Sequence, residues 1–562
     1  MQPLPNTESA AEPTAPRRPL QRAFDALALL AIGLAVWFWQ GPGLFAMGRP
    51  AEVFVSPTGS DWGRGDREDA PLGTITEALR RVAQDGTVWL LNGEYAERVH
   101  VRRGGIEGRP LTIRALTPGG AVISWRHPEG LPLATEWRDE GDGIHSARVR
   151  WPLYWVRDGD LSLLRFPWID LDRFRDFVRR PGSRGCFICR DNVLYVHLDG
   201  GGPPEGRGLA THREVPAPMD WGVFRSANLW LEADHIRLQN LRFDFGIGSN
   251  VRVWDADGVS IQDCVFTGAV HGIRAGLGAR APARIEVDRC LYHNHPQQEW
   301  RQGWLSWQEL YSQISSNGLL SAWGLPVRVT NSVAAHCADG LQVSPQSGFD
   351  QTSLLRGNWL GCVTDDALEF DGDASRVELE GNLLFNCFVS YGCSPVLEGP
   401  LRARGNIAWQ SPRQASYHIK FLAPHRGRWR NSVVHDVVFE ENLFVGGATT
   451  MWSPDVPVRN STFRENSVVR IEPRSVEFPP GLTMTGNDVQ LLEVGDSTSD
   501  GEDADGVTRV AEQLRGMGEG RAWRRTIQSL DQRPGPEWLD LDEEPSTKEV
   551  ARFARRLRKA LP

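Results

Sequence analysis

From about residue 235 to 492 the chain is a succession of short apolar runs that alternate with polar residues at a period of two and end in turn residues. Helical spacing is absent between them, so each run reads as a half-buried β-strand. An asparagine recurs at one phase, followed each time by apolar residues: Asn358 (RGNWL), Asn382 (EGNLLF), Asn406 (RGNIAW), Asn442 (EENLFV), Asn466 (RENSVV) and Asn487 (TGNDV), at spacings of 24, 24, 36, 24 and 21 residues. Asn240, Asp263, Asp288 and Asn331 are expected to continue this phase toward the N-terminus. Such a period marks a solenoid, whose turns must stack because none can bury its apolar face alone. Asparagine suits a stacked turn on two counts. It tolerates left-handed backbone, and its amide can bond the same residue one rung away.

The pattern changes outside these coils. Residues 51–125 read as an N-terminal cap and first coils, with Ile75, Ala78, Leu79 and Val82 on one face of a short helix. Residues 126–228 break the rhythm and read as a β-rich insertion, after which coils occupy 229–492. Within them, 296–316 carries Trp300, Trp304, Trp307 and Tyr311 at helical spacing, an inserted helix that packs on the coils or walls a groove. An acidic linker (493–506) precedes a helical tail (507–562), where Ser546 and Glu549 predict a capping box and the last, basic amphipathic helix is expected to dock on the solenoid. At the other end, residues 1–22 read as a disordered cytoplasmic tail. Residues 23–39 are apolar apart from Asp25 and follow an Arg cluster, so 23–47 reads as a transmembrane anchor with the N-terminus inside. A cleaved signal peptide is the alternative, and both place the repeats outside the cytoplasm, in the periplasm or beyond the cell.

Composition changes this picture in three places. The net charge of −9 argues against a nucleic-acid partner. Lysine is rare, at positions 420, 548 and 559 alone, so Lys420 is the single lysine of the coils. Tryptophan is abundant (22 residues), which suits stacking on sugar rings as well as core filling. The eight cysteines do not form a zinc-ribbon pattern. Cys264 with Cys290, and Cys337, Cys362 and Cys387 at 25-residue spacing, read as stacked core fillers, while the Cys186–Cys189 pair lies in a strand-like stretch.

The opening SPTGSD, the helix TITEALRRVA and the strand-turn DGTVWLLNGEY resemble the N-terminal cap of right-handed parallel β-helix proteins of the pectate-lyase-like superfamily. The resemblance implies an all-β right-handed parallel β-helix with a capping helix, here carrying a β-rich insertion, a transmembrane helix and a helical C-terminal tail. The order Asp339, Asp365-Asp366, His418-Ile419-Lys420 is similar to the motifs of the polygalacturonase family, with ADG where that family has NTD and Tyr391–Cys393 where it has GHG.

Strand alternation turns these segments into a candidate site. In TDDALEFDG, Leu368 and Phe370 are expected inside, Glu369 and Asp371 outside, and Asp365 and Asp366 at the entry turn. In ADGLQVS, Gln342 faces out and Asp339 sits at the entry turn. In YHIKFL, His418 and Lys420 are expected outside. Glu369 and Lys420 then lie two rungs apart, about 10 Å, a separation suited to flanking a sugar. The resemblance implies two chemistries. In β-elimination or epimerisation of a uronic-acid polysaccharide, Lys420 is the base and Asp339, Asp365, Asp366 and Asp371 are ligands for calcium, with Glu369, Asp366 and His418 as further catalytic groups. In inverting hydrolysis, paired carboxylates act as acid and base. Gln342, Arg274, Trp300 and Trp304 are candidate substrate contacts. A non-catalytic polysaccharide-binding scaffold is the reading of another class. His271, His293, His295 and His336 fall at coil edges and read as polar turn residues.

Overall fold

The structure is a computed structural model that describes residues 48–561 apart from 167–169, 180–184, 215–225, 277–283, 295–317, 411–416, 423–431, 448, 453–455, 471–477, 492–503, 516, 518–519 and 545. The proposed anchor (23–39) and the inserted aromatic stripe with Trp300 and Trp304 lie outside the described residues. Among the described residues no helix is long and apolar enough to cross a membrane.

Strands within 51–125 and 227–491 build a right-handed parallel β-helix with three long sheets of 13, 12 and 10 strands. Each turn contributes one strand to each sheet, and pairing runs in register from rung to rung. Val377–Glu380, for example, pairs in parallel with Ser353–Arg356 on one side and Leu401–Arg404 on the other. The inward columns form one continuous core from Val53 to Val468, so every turn buries its apolar face on its neighbours. Helix α1 (Ile75–Arg81) seals the N-terminal end with Ile75 and Ala78, its first turn capped by the Thr74 hydroxyl, which accepts from Glu77 N.

The asparagine ladder divides the two properties of asparagine between adjacent residues. Asn358, Asn382, Asn406, Asn442, Asn466 and Asn487 form a continuous stack: each Oδ1 from Asn382 onward accepts from the preceding member's backbone N–H and Nδ2. Each Nδ2 also donates to a backbone carbonyl, Val329 for Asn358 and Leu379 for Asn406. The left-handed backbone belongs to the residue before, Gly357, Gly381, Gly405, Glu441, Glu465 and Gly486. Asn240, Asp263 and Asn331 have φ of 60°, 52° and 49° and occupy this preceding column instead, so they do not continue the ladder as expected. Ser332 takes the ladder position in their stretch, accepting from Cys290 N and donating its own N–H to Asn358 Oδ1.

The cysteines are all free. Cys264, Cys290, Cys337 and Cys387 fill the core, but Cys362 does not share their column. It follows the strand Trp359–Gly361 by one residue, in the left-handed position also taken by His336 and Asn386, and faces the C-terminal tail. Equal spacing in sequence hid this one-residue offset.

Residues 126–226 leave the solenoid as a small antiparallel sheet, a five-stranded mixed sheet and helix α2 (Leu171–Val178), with their own core around Leu163, Phe187 and Val196. The tail forms α3 (Ala504–Leu514), α4 (Ala522–Ser529) and α5 (Lys548–Ala560), which bury Leu514, Trp523, Ile527, Phe553 and Leu557 against the outer face of the 12-stranded sheet. The basic amphipathic helix therefore docks on the coils. The expected capping box is absent: α5 begins after Thr547, with no side-chain cap, and Ser546 Oγ donates to Glu544. Phe553 stacks on Phe385 at 4.2 Å and lies 5.0 Å from Trp409. Phe553→Ala should cost about 3–5 kcal/mol at this interface. Limited proteolysis should then cut the tail faster than it does in wild-type protein.

Candidate active site

The 10-stranded sheet carries the site on its outward face. Its register places Trp230, Arg252, Arg274, Ser321, Gln342, Glu369, Gly392 and Lys420 in one column across successive rungs. Glu369 and Lys420 are two rungs apart, as alternation requires, with Gly392 between them. The glycine matters. A Cβ there would lie 2.4 Å from Asp366 Oδ2, because the Asp366 side chain crosses the rung through the space a side chain would fill.

That crossing alters the environment expected for Lys420. It is 8 % exposed rather than solvent-facing, and its ammonium donates to Asp366 Oδ2 and lies 3.7 Å from Asp365. Burial opposes its charge, but Asp366 and Asp365 outweigh burial and raise the Lys420 pKa above its ordinary value. His418 departs from its expected place altogether. The chain bends at Thr364-Asp365 into the strand Asp366–Gly372, and near the start of this strand and of Tyr417–Phe421 two successive residues are buried, Ala367-Leu368 and His418-Ile419. His418 packs on Phe444, shares a contact of 3.5 Å with Ser390 Oγ and one of 3.1 Å with the Gly446 carbonyl, and burial lowers its pKa to about 4. It is a neutral corner residue, turned away from the outward column.

The acidic residues do converge. Asp339, Asp366 and Glu369 bring carboxylate oxygens within 4.8 Å of one another. Gln342 Nε2 donates to Glu369 Oε2 at 2.6 Å, and is itself held by Ser321 Oγ and Trp323 Nε1, both on Gln342 Oε1. Asp371 receives support from Ser344, whose Oγ accepts from its backbone N–H. Burial, then repulsion from neighbouring carboxylates, drives Asp339 and Glu369 well above the carboxylate range. Burial likewise raises Asp366 to about 7 and Asp371 to about 6, with Lys420 pulling both the other way.

Several buried carboxylates facing one lysine leave the cluster short of positive charge. Asp366 Oδ1 and Asp371 Oδ1 are buried and have no hydrogen-bond partner among the described residues. Oxygens within 4.8 Å of one another lie close enough to share one ion with calcium–oxygen bonds of roughly 2.4 Å, and the donors are all hard oxygens. The residues therefore fit a calcium ion.

The pH dependence follows from the raised carboxylates. Asp366 and Asp371 ionise near 4 in the unfolded chain but at about 7 and about 6 when folded, so the folded state binds more protons between those limits. Their protonated forms contribute stability that is present below the unfolded pKa and lost as pH rises to the folded values. Lys420 titrates far above this window and does not change the sign. Metal-free protein should melt several degrees lower at pH 8 than at pH 5 through this cluster, and calcium should restore Tm at pH 8 while doing little at pH 5, where protons compete. Equal calcium shifts at both pH values would contradict the assignment.

Toward the N-terminal rungs the same face opens into a pocket of 630 Å³ lined by Arg252, Trp254, Arg274, Trp323, Ser344 and Asp371. The Arg252 guanidinium lies over Trp230 at 4.6 Å and over Trp254 at 5.0 Å. Desolvation lowers the Arg274 pKa, though arginine stays charged. Arg274 thus joins the groove as expected, while Trp230, Arg252, Trp254 and Trp323 were missed. Alternation in IGSNVRVW, read as a single strand, would have turned Arg252 and Trp254 outward.

No family model matches the chain. A stretch of 106 residues is 36 % identical to a Bacillus subtilis (strain 168) protein described as uncharacterized protein YwoF. The match covers 19 % of this chain and 19 % of that protein, so the chain spans about a fifth of the length of the curated relative it matches. Among solved structures, the chain is similar to XylC in complex with xylose (11 % identity, 78 % of this chain and 86 % of that one, TM-score 0.47). It is similar to the GH136 lacto-N-biosidase of Eubacterium ramulus (12 %, 84 % and 73 %, TM-score 0.45) and to pectate lyase Pel9A (11 %, 81 % and 83 %, TM-score 0.37).

Proposed function

We propose that this protein is an extracytoplasmic carbohydrate-processing enzyme, anchored through residues 23–39, that acts on an acidic, uronic-acid polysaccharide as a lyase or epimerase. The observation that carries the reading is the buried cluster of Asp339, Asp366, Glu369 and Lys420, set on the outward face that continues into a pocket with two arginines and two tryptophans. The arginines supply charge for sugar carboxylates and the tryptophans supply stacking surface. A sugar unit spans about one rung of roughly 4.8 Å, so a chain laid along the sheet meets the arginines a few units from the lysine.

Asp339, Asp366, Glu369 and Asp371 would hold calcium, which supplies a positive charge to stabilise a substrate carboxylate as its neighbouring C5 proton becomes acidic. Were the carboxylates neutralised in this way, burial would be the main influence left on Lys420, and burial favours the free amine that can act as base. Lys420 then takes the C5 proton. In elimination the C5–H electron pair forms the C4–C5 double bond and the C4–O bond breaks, its electron pair leaving with the oxygen, which takes a proton from water, while Lys420 later returns the C5 proton to solvent. In epimerisation a proton returns to C5 from the opposite face. Gln342 fixes Glu369, and Asp366 positions the Lys420 amine.

A second reading, hydrolysis, is favoured by one observation. Asp366, raised to about 7, suits a proton donor. Against the inverting form stands the separation of Asp339, Asp366 and Glu369, within 4.8 Å, which is short of the roughly 6.5–9.5 Å that a water between acid and base requires. The test is a panel of uronic-acid polysaccharides incubated with calcium. Ultraviolet absorbance of unsaturated ends identifies the lyase, proton exchange at C5 without cleavage the epimerase, and new reducing ends without that absorbance the hydrolase. Binding with no turnover on any polymer would reduce the protein to a scaffold and sink both enzyme readings.

A further inference from the structure

A second cluster lies on the other side of the solenoid, where α5 meets the 12-stranded sheet. His336 and Cys362 occupy the same left-handed position in successive rungs, and Glu549 faces them from the first turn of α5. One ligand atom from each lies within 4.8 Å of the others, and His336 and Cys362 are 8 % and 2 % exposed. Cys362 Sγ and Glu549 Oε2 are 3.4 Å apart. That matches the separation of about 3.5 Å between sulfur and oxygen at two corners of a zinc tetrahedron with Zn–S about 2.3 Å and Zn–O about 2.0 Å. His336 also meets the backbone of Ser546, the kind of contact that orients a ligating imidazole.

We propose that His336, Cys362 and Glu549 form a binding site for a divalent transition-metal ion of zinc type, which clasps the C-terminal helix to the coils. Imidazole, thiolate and carboxylate together suit zinc rather than the hard cation of the acidic cluster. On binding, the Cys362 thiol gives its proton to solvent and the thiolate becomes the ligand. The fourth corner is open to water or to a side chain of the tail. The site joins residues 187 positions apart in sequence, so metal adds to the docking of the tail without touching the outward face of the 10-stranded sheet.

Cobalt(II) tests this on the full chain, because thiolate ligation gives a near-ultraviolet charge-transfer band that oxygen ligands do not. One equivalent should produce the band, and zinc should displace it. Cys362→Ser should abolish it, and His336→Gln and Glu549→Gln should weaken cobalt binding at least tenfold. Cys189→Ser, which removes a partly exposed thiol elsewhere, should leave it unchanged. Zinc should also slow proteolysis of the tail in wild-type protein and not in Cys362→Ser. A band that persists in folded Cys362→Ser, or no band in wild type, overturns the proposal. Polysaccharide turnover is read separately, so failure here leaves the reading of the acidic cluster standing.

Discussion

Lys420→Ala should lower the rate of unsaturated product formation by roughly 10²–10⁴-fold on whichever uronic-acid polymer the protein cleaves, with KM changed far less. The loss is expected in kcat because the amine contributes only as the proton is taken. The variant should fold. Lys420 is the strongest influence holding Asp366 down, and Asp366 still sits at about 7, so without the lysine its carboxyl is neutral at pH 7 and no unpaired charge is left buried. Circular dichroism and Tm in wild type and variant check that point. Glu369→Gln gives the complementary result, a weakened affinity for calcium, so that more calcium is needed for turnover with the lysine in place. Unsaturated product formed at an unchanged rate by Lys420→Ala would remove the lysine from the mechanism.

Asn406→Ala, on a central rung of the ladder, should be strongly destabilising. It deletes four hydrogen bonds at once: those from Asn382 N and Nδ2 to Asn406 Oδ1, and those from Asn406 Nδ2 to Leu379 O and Asn442 Oδ1. The partners left behind are in the solenoid interior, and each orphaned group costs about 1–3 kcal/mol, so a net loss of roughly 3–5 kcal/mol is expected. Stability in a solenoid resides in nearest-neighbour interfaces, so a defect on a central rung weakens the coupling on both sides. Asn487→Ala, at the partly exposed C-terminal end, should cost about 1 kcal/mol. Denaturant midpoints of the two variants make the comparison, and equal losses would mean that the ladder does not act as a stack.

The ladder also shows how far a sequence period reaches. Periodicity alone identified the solenoid and the rungs, because a stacked turn must present the same chemistry to identical neighbours above and below. It did not separate two adjacent columns. Asn240, Asp263 and Asn331 looked like ladder members and are in fact the left-handed residues that precede it, since asparagine satisfies both roles. The same one-residue ambiguity made Cys362 look like core and hid its place beside His336.

The sequence by itself determined a β-solenoid, the interruption at 126–228 and the outward column through Gln342, Glu369 and Lys420, because two-residue alternation and a repeat near 25 residues fix which side chains share a face, while the resemblance of its opening segments implied the parallel β-helix and its cap. Only the tertiary structure decided that His418 turns inward, that Asp366 reaches across Gly392 to a buried Lys420, and that Arg252 and Trp254 share a groove with Arg274. These depend on the bend at the strand entry and on the space left by a missing side chain one rung away. Both are properties of the stack, and neither is written in the period of a single turn.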